Sequence, residues 1–290
     1  MKIKNYLPVL AILGAVFLWG SSFSVMRMVL RDLSPFAVMF CRLFIAFVFI
    51  IPISVKIFPK SYKKGDWKIL LPMVLFQPCL YFLFESNALT FTTSSQAGII
   101  SACLPLMVAV AAWFFIAESL NGKIILGLVL SILGVVLLTI FQDSQANAPH
   151  PILGNLLEVF AMASACANLI LVKKLSSRYD TWSLTGMQVF AGTPFFLPGI
   201  RYVAIADPSI WTIKLIGLLF YLGVCVSFFS FGLYNWGISK IEASRASIFI
   251  NLIPVTAVLL GWLILGETLN SKQIIAAIIV ISGVFISNQR

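Results

Sequence analysis

The chain has 290 residues, of which 60% are hydrophobic and only 10% charged, and its mean hydropathy is +1.02. Soluble domains carry about 25% charged residues, so this balance excludes an ordinary water-soluble fold and predicts an all-α membrane protein. The 20 Lys and Arg outnumber the 10 Asp and Glu, but they are dispersed along the chain and not gathered on one polar domain, which argues against a nucleic-acid partner.

Turn signals and charges divide the sequence into ten apolar runs, at 6–30, 35–57, 67–90, 94–117, 122–141, 152–174, 182–205, 211–239, 244–266 and 271–288. Each approaches the roughly 20 residues that a spanning helix needs. The first run follows Lys2 and Lys4, yet it is long for a signal-peptide core and has no small-x-small cleavage site, so it reads as a retained helix. It puts Trp19, Ser22 and Met26 on one face. Trp19 falls near mid-span, away from the interfacial belt where tryptophan concentrates. There it either caps an apolar or aromatic ligand or packs between helices. The second run carries Arg42. The third places Gln77, Tyr81 and Glu85 at i, i+4 and i+8, hence on one face.

The fourth run contributes Ser101 and Pro105, and the sixth Glu158, Ser164 and Asn168. The eighth has Ser227, Ser230 and Tyr234 at helical spacing, followed by Asn235; the ninth has Ser247, Asn251 and Pro254. A polar face inside hydrocarbon is costly and belongs in the bundle interior, either lining a cavity or hydrogen-bonding between helices. Pro105 and Pro254 each remove a backbone donor and crowd the carbonyl four residues earlier, at Ser101 and Ile250. The freed carbonyls either accept from a substrate or water, or the kinks only shape packing. The candidate substrate-binding set is therefore Trp19, Ser22, Gln77, Tyr81, Ser101, Asn168, Tyr234 and Asn251, with Pro105 and Pro254 as kinks.

Arg27, Arg42, Glu85 and Glu158 fall in one layer of the outer third of the bundle. Charges at that depth are expensive unless paired or wet, so a charge network is expected there, the alternative being that each side chain snorkels alone. Glu118 and Glu267 stand where one run ends and the next begins, and read as structural carboxylates favouring the dipole of the following helix. His150 is alone in a polar loop, and the five cysteines lie singly in apolar segments. No nucleophile–base–acid set, metal-ligand spacing or phosphate loop is present, so neither catalysis, a metal nor a cofactor is expected.

Residues 94–124 and 242–273 are nearly the same hairpin at an offset of 149. The pairs include Pro105 with Pro254, Trp113 with Trp262, Glu118 with Glu267, Asn121 with Asn270, Lys123 with Lys272 and Gly134 with Gly283. Two five-helix repeats follow, 1–145 and 146–290, separated by the polar stretch Gln142 to Pro151. Five is odd, so the second repeat is inverted relative to the first, a carrier architecture. With the N-terminus inside, 14 of the 20 basic residues fall on the inner side and 5 outside, Arg42 lying within a span. Both termini are then cytoplasmic and Gln142 to Pro151 faces outward.

The run Trp19-Gly20-Ser21-Ser22-Phe23, then Arg42, then the two proline helices each ending in Glu-(Ser/Thr)-Leu-Asn, resembles the EamA-type carriers of the drug/metabolite transporter superfamily over essentially the whole chain. The resemblance implies a ten-helix secondary transporter with a central cavity, more often an exporter than an importer, whose cargo varies widely. The match between repeats is weak in the first two helices: Arg27 and Arg42 fall opposite Lys173 and Gln188 at an offset of 146, so the cavity is expected to be chemically asymmetric.

The expected activity is alternating-access transport of a small organic solute (an amino acid, metabolite or drug-like compound) in a prokaryotic plasma (inner) membrane, with that solute and the lipid bilayer as partners. A nucleotide-sugar or phosphate-ester carrier would want more basic groups on the central face. A membrane subunit that transports nothing is the remaining alternative, and the inverted duplication argues against it.

Overall fold

A computed structural model describes residues 6–53, 62–116, 122–141, 148–240, 249–250 and 252–287. Asn251, Ser247 and Glu118 lie outside the described residues. The helices in chain order are α1 (Leu7–Val29), α2 (Pro35–Ile50), α3 (Trp67–Phe91), α4 (Ser94–Ser101), α5 (Leu104–Ile116) and α6 (Gly122–Ile140). They continue as α7 (Pro151–Leu175), α8 (Thr181–Phe195), α9 (Gly199–Ala204), α10 (213–240), α11 (Leu252–Leu265) and α12 (Ser271–Ser287).

Local signals explain the starts. Pro35 and Pro151 open α2 and α7 at a position where a missing N–H costs nothing. The Asp180 carboxylate caps α8 by accepting from the N–H groups of Trp182 at 3.0 Å and Ser183 at 3.1 Å. Asn270 and Gln273 cap α12 reciprocally, each side-chain oxygen accepting the other residue's N–H at 2.9 and 2.8 Å.

Among the described residues, five helical stretches are long and apolar enough to cross a membrane: Leu7–Val29, Trp67–Phe91, Ser94–Phe115, Pro151–Leu175 and Ile213–Gly237. Shorter apolar helices stand at Pro35–Ile50, Ile125–Leu137, Leu252–Leu265 and Ser271–Gly283. At about 1.5 Å per residue the 25-residue α3 covers more than the roughly 30 Å hydrocarbon layer. The outer surface is apolar, with Phe115 79% and Phe190 58% exposed. Such a surface is stable facing lipid tails and not water.

The helices near the centre are interrupted. α3 widens into a π-helical turn at Leu75–Leu80, where Gln77 leaves helical geometry (φ −146°, ψ 122°) ahead of Pro78. α10 is π-helical over Tyr221–Ser230. Between α4 and α5 the helix breaks at Ala102 and Cys103, two residues before Pro105. The run 182–205, expected as one helix, is two: Pro194 and Pro198 remove donors, and the chain turns at 196–198 before α9.

Packing follows a reciprocal pattern. α1 lies against α11 and α10, while α7 lies against α4, α5 and α3; α2 meets both α10 and α8. α6 and α12 form a close pair in which a Cβ at Gly134 would meet the Val280 nitrogen at 2.8 Å and the Ala276 carbonyl at 2.9 Å. Only glycine admits that approach, a use of small residues common between helices in lipid. The main core, including Val16, Met26, Met39, Leu43, Leu222 and Val226, fills the space between α1, α2 and α10.

Candidate functional site

A cavity of about 50 Å³ lies where α1, α3, α4, α5, α7, α10 and α11 converge. Trp19, Ser22, Gln77, Tyr81, Ser101, Asn168 and Tyr234 all line it, and the flanks of Asn251, Ile250 and Ile253, do so as well. The helix interruptions put this convergence near mid-bundle: Gln77 lies at the wide turn of α3 and Ser101 at the end of α4.

The aromatic side is built on α1 and α10. The Trp19 ring sits 5.1 Å from Phe231 and 4.8 Å from Tyr234, centroid to centroid. Its Nε1–H is buried and has no hydrogen-bond partner among the described residues. Phe231 and Asn235 also line the cavity. Phe231 escaped the sequence reading, since one more phenylalanine among 25 carries no signal.

Most polar lining groups already have partners. The Ser22 hydroxyl donates to the Trp19 carbonyl and the Ser101 hydroxyl to the Gly98 carbonyl, each at 2.7 Å. The Asn168 amide donates to the Met73 carbonyl at 2.9 Å, and the Gln188 amide to the Gln77 carbonyl at 3.1 Å. These bonds satisfy carbonyls near the broken turn of α3, so Asn168 both faces the cavity and braces a neighbouring helix. Asn235 donates to the Thr185 hydroxyl at 3.1 Å. On the polar face expected for α10, Tyr234 lines the cavity and Ser227 and Ser230 do not. Ser227 accepts from Arg42 Nε at 2.5 Å, and Ser230 donates to the Val226 carbonyl of its own helix.

One turn further along α3 from Tyr81 stands the charge layer. Arg42 is 1% exposed; its Nη1 lies 3.9 Å from Glu85 Oε2 and its guanidinium 4.2 Å from the centre of the Phe82 ring. The Tyr81 hydroxyl donates to Glu85 Oε1 at 2.5 Å, which links the layer to the cavity wall. Of the four residues expected in the network, Arg42 and Glu85 are brought together. Arg27 donates to the Leu89 carbonyl at 2.5 Å. Glu158 is fully buried, and neither of its carboxyl oxygens has a hydrogen-bond partner among the described residues. Depth along a helix fixes the layer but not which way around the helix a side chain points, and that direction separates Glu158 from Arg42.

At the two ends of α3, single carboxylates tie distant segments together. Glu267, just beyond α11, accepts from the Ser94 N–H at 3.0 Å and hydroxyl at 2.9 Å, and from the Ser95 N–H at 2.9 Å and hydroxyl at 2.6 Å. It thus caps α4, where the unpaired N–H groups and the helix dipole favour an anion. The expectation that Glu267 serves the helix following it is corrected; Asn270 and Gln273 do that.

At the opposite end, Asp66 accepts from Arg178 Nη1 at 3.1 Å and Nη2 at 2.7 Å, from the Tyr179 hydroxyl at 2.5 Å and from the Lys63 N–H at 2.9 Å. The Tyr179 hydroxyl first, then the Lys63 N–H, with Arg178 adding to both, holds the Asp66 carboxyl down at about 2. Asp66 and Tyr179 are separated by 113 positions, and no spacing rule could have joined them.

An all-helical bundle with an apolar exterior, a central cavity with a mixed aromatic and amide lining, and buried charges beside it define a multi-pass membrane transporter. The EamA-like transporter family matches the chain twice, at residues 7–140 and 152–289, and the chain belongs to that family. It is 26% identical over 283 residues to the uncharacterized transporter YetK of Bacillus subtilis (strain 168), covering 94% of this chain and 84% of that protein. It is 28% identical over 275 residues to an uncharacterized transporter of Archaeoglobus fulgidus, covering 93% and 95% respectively. A solved crystal structure superposes with a TM-score of 0.62 at 15% identity, over 96% of this chain and 95% of its own, which shows the shared fold.

Proposed function

We propose that this transporter moves a small organic solute by alternating access, through ten spans arranged as two inverted five-helix repeats, 1–145 and 146–290. The observation that carries the reading is the cavity itself, lined by Trp19, Gln77, Tyr81 and Ser101 from one half of the chain and by Asn168 and Tyr234 from the other. The reciprocal packing supports the repeats, as α1 against α11 answers α7 against α4 and α5. The wide turns in α3 and α10, equivalent positions in the two repeats, support them too.

The described lining contains no Lys, Arg, His, Asp or Glu. That chemistry suits a neutral or zwitterionic solute with an apolar or aromatic body, such as an amino acid or a drug-like compound. It speaks against a nucleotide sugar or phosphate ester, which would want cationic partners. The bonds of Glu267 and of Asp66, at opposite ends of α3, are the contacts that would open in turn. The charge asymmetry supports cytoplasmic termini in a prokaryotic plasma membrane, and export is the direction that the family resemblance favours. Flux of radiolabelled aromatic and aliphatic amino acids, and of a panel of aromatic drugs, into proteoliposomes holding the purified protein tests the reading. Saturable counterflow of at least one, lost in Trp19→Ala, is the expected result; no flux of any above empty liposomes would remove it.

A further inference from the structure

Glu158 is the least explained side chain in the bundle. It lies on α7 one turn before the cavity-lining Met162, is 0% exposed, and has no hydrogen-bond or ion-pair partner on either oxygen among the described residues. From α3 the ionisable groups within electrostatic reach are Glu85 and Tyr81. The other described elements packed on α7 bring little: Cys103 lies between α4 and α5, and Lys123 at the far end of α6. On α7 itself the nearest such group is Cys166, two turns further on. A carboxylate stripped of water with no donor is strongly unfavourable, and a second carboxylate beside it makes it more so. A neutral acid suffers neither penalty.

Arg42 is committed to Glu85 at 3.9 Å, which leaves Glu158 to be neutralised by a proton of its own. We propose that Glu158 holds that proton and exchanges it with water during the cycle, making the Glu85–Glu158 layer the proton site of a proton-coupled carrier. The carboxylate takes up a proton from water on one side of the membrane to become the acid, and releases it to water on the other side when the bundle opens that way; no other bond changes. Tyr81 connects the site to cargo, because it lines the cavity and donates to Glu85 at 2.5 Å. A solute that moves Tyr81 alters Glu85, the acid within electrostatic reach of Glu158.

The coupling rests on the carrier reading, but the proton site can be tested without cargo. Infrared difference spectra between acidic and alkaline buffers would be taken on the full-length protein in phosphatidylcholine–phosphatidylglycerol nanodiscs. The expected result is a carboxylic-acid band that shifts in heavy water, disappears at alkaline pH, is missing in Glu158→Gln and is moved in Glu158→Asp. In Glu85→Gln the neighbouring carboxylate is gone, so the Glu158 band should be lost at a pH where the wild type keeps it; this arm also serves if Glu158→Gln does not fold. A wild type with no such band, a band that survives Glu158→Gln, or a band unchanged across the pH range overturns the proposal. So does a band removed by sodium at fixed pH, which would make the layer a sodium site. A titrating Glu158 in a protein that moves no solute would instead sink the carrier reading, and the coupling with it.

Discussion

Ser95 gives both its backbone N–H, at 2.9 Å, and its hydroxyl, at 2.6 Å, to one oxygen of Glu267, across 172 positions of sequence. Through this contact the helix that follows α3 is capped by a residue from the other half of the chain. The arrangement serves stability and, if the bundle rocks, motion as well.

Glu267→Ala leaves four donors of Ser94 and Ser95 without their acceptor. Hydrogen bonds to a charged group are worth about 1.5–3 kcal/mol each where well shielded, and loss of a helix N-terminal partner typically costs about 0.5–2 kcal/mol. The melting temperature in detergent should fall, and Glu267→Gln should recover part of the loss. With the native cysteines replaced, a disulfide between Ser95→Cys and Glu267→Cys should arrest transport until reduced. Undiminished flux in the cross-linked protein would show that this end does not open.

Asp66 makes stability depend on acid. Its folded value of about 2 lies below the ordinary aspartate value of roughly 3.9. A depressed carboxyl stabilises the fold fully above the unfolded value, and the contribution is lost as pH falls through the folded value. The melting temperature of the wild type should therefore exceed that of Asp66→Asn at neutral pH, with the gap closing between about pH 4 and about pH 2. A gap that stays constant over this window would mean that the carboxylate charge is not what Arg178 and Tyr179 hold.

Arg42 and Glu85 should be non-additive. Removing one partner of a buried pair costs about 3–5 kcal/mol, because the other charge is stranded. Arg42→Ala and Glu85→Ala should each lower the melting temperature sharply, and the double variant less than their sum. Simple addition would assign the cost of Arg42→Ala to its packing on Phe82 and its bond to Ser227 alone.

The Trp19 indole contributes a ring and an N–H, and two variants separate them. Trp19→Phe keeps an aromatic surface against Phe231 and Tyr234 but removes the unpartnered N–H; Trp19→Ala removes both. If cargo accepts from the indole, Trp19→Phe should raise the half-saturation concentration for solute about tenfold, as for one hydrogen bond of about 1.4 kcal/mol, and Trp19→Ala should raise it further. Equal, small effects would make Trp19 a packing residue.

Orientation is checked by thiol labelling of a cysteine-free background. Lys63→Cys, near the start of α3, should resist an impermeant reagent in intact cells, and His150→Cys, at the start of α7, should react. The reverse pattern would turn the molecule over in the membrane.

The sequence already carried the helices, most of the cavity lining and the doubled hairpin, because each is written in short-range spacing: i and i+4 for Gln77 and Tyr81, a proline where a helix breaks. What it could not carry was direction and distance. Glu158 sits at the same depth as Glu85 but on another helix, and depth alone could not say that Arg42 would meet only one of them. Asp66 gave no sign of its long-range role, since its side-chain partners, Arg178 and Tyr179, come from the loop after α7. Glu267 was legible as a structural carboxylate, but the helix it caps is set by tertiary packing.

The small cavity has a consequence for selectivity. A volume of about 50 Å³ is well short of the about 300–1,000 Å³ spanned by pockets shaped to organic ligands. On the proposed carrier reading, admission of cargo here pushes α1, α7 and α10 apart, at a cost to every solute that grows with its bulk. Discrimination then comes chiefly from girth, with Trp19 Nε1 and the exchangeable amides of Gln77 and Asn168 acting as a second filter. A mutation that enlarges the wall, such as Met162→Ala or Leu104→Ala, should broaden the range of compounds carried more readily than it abolishes transport.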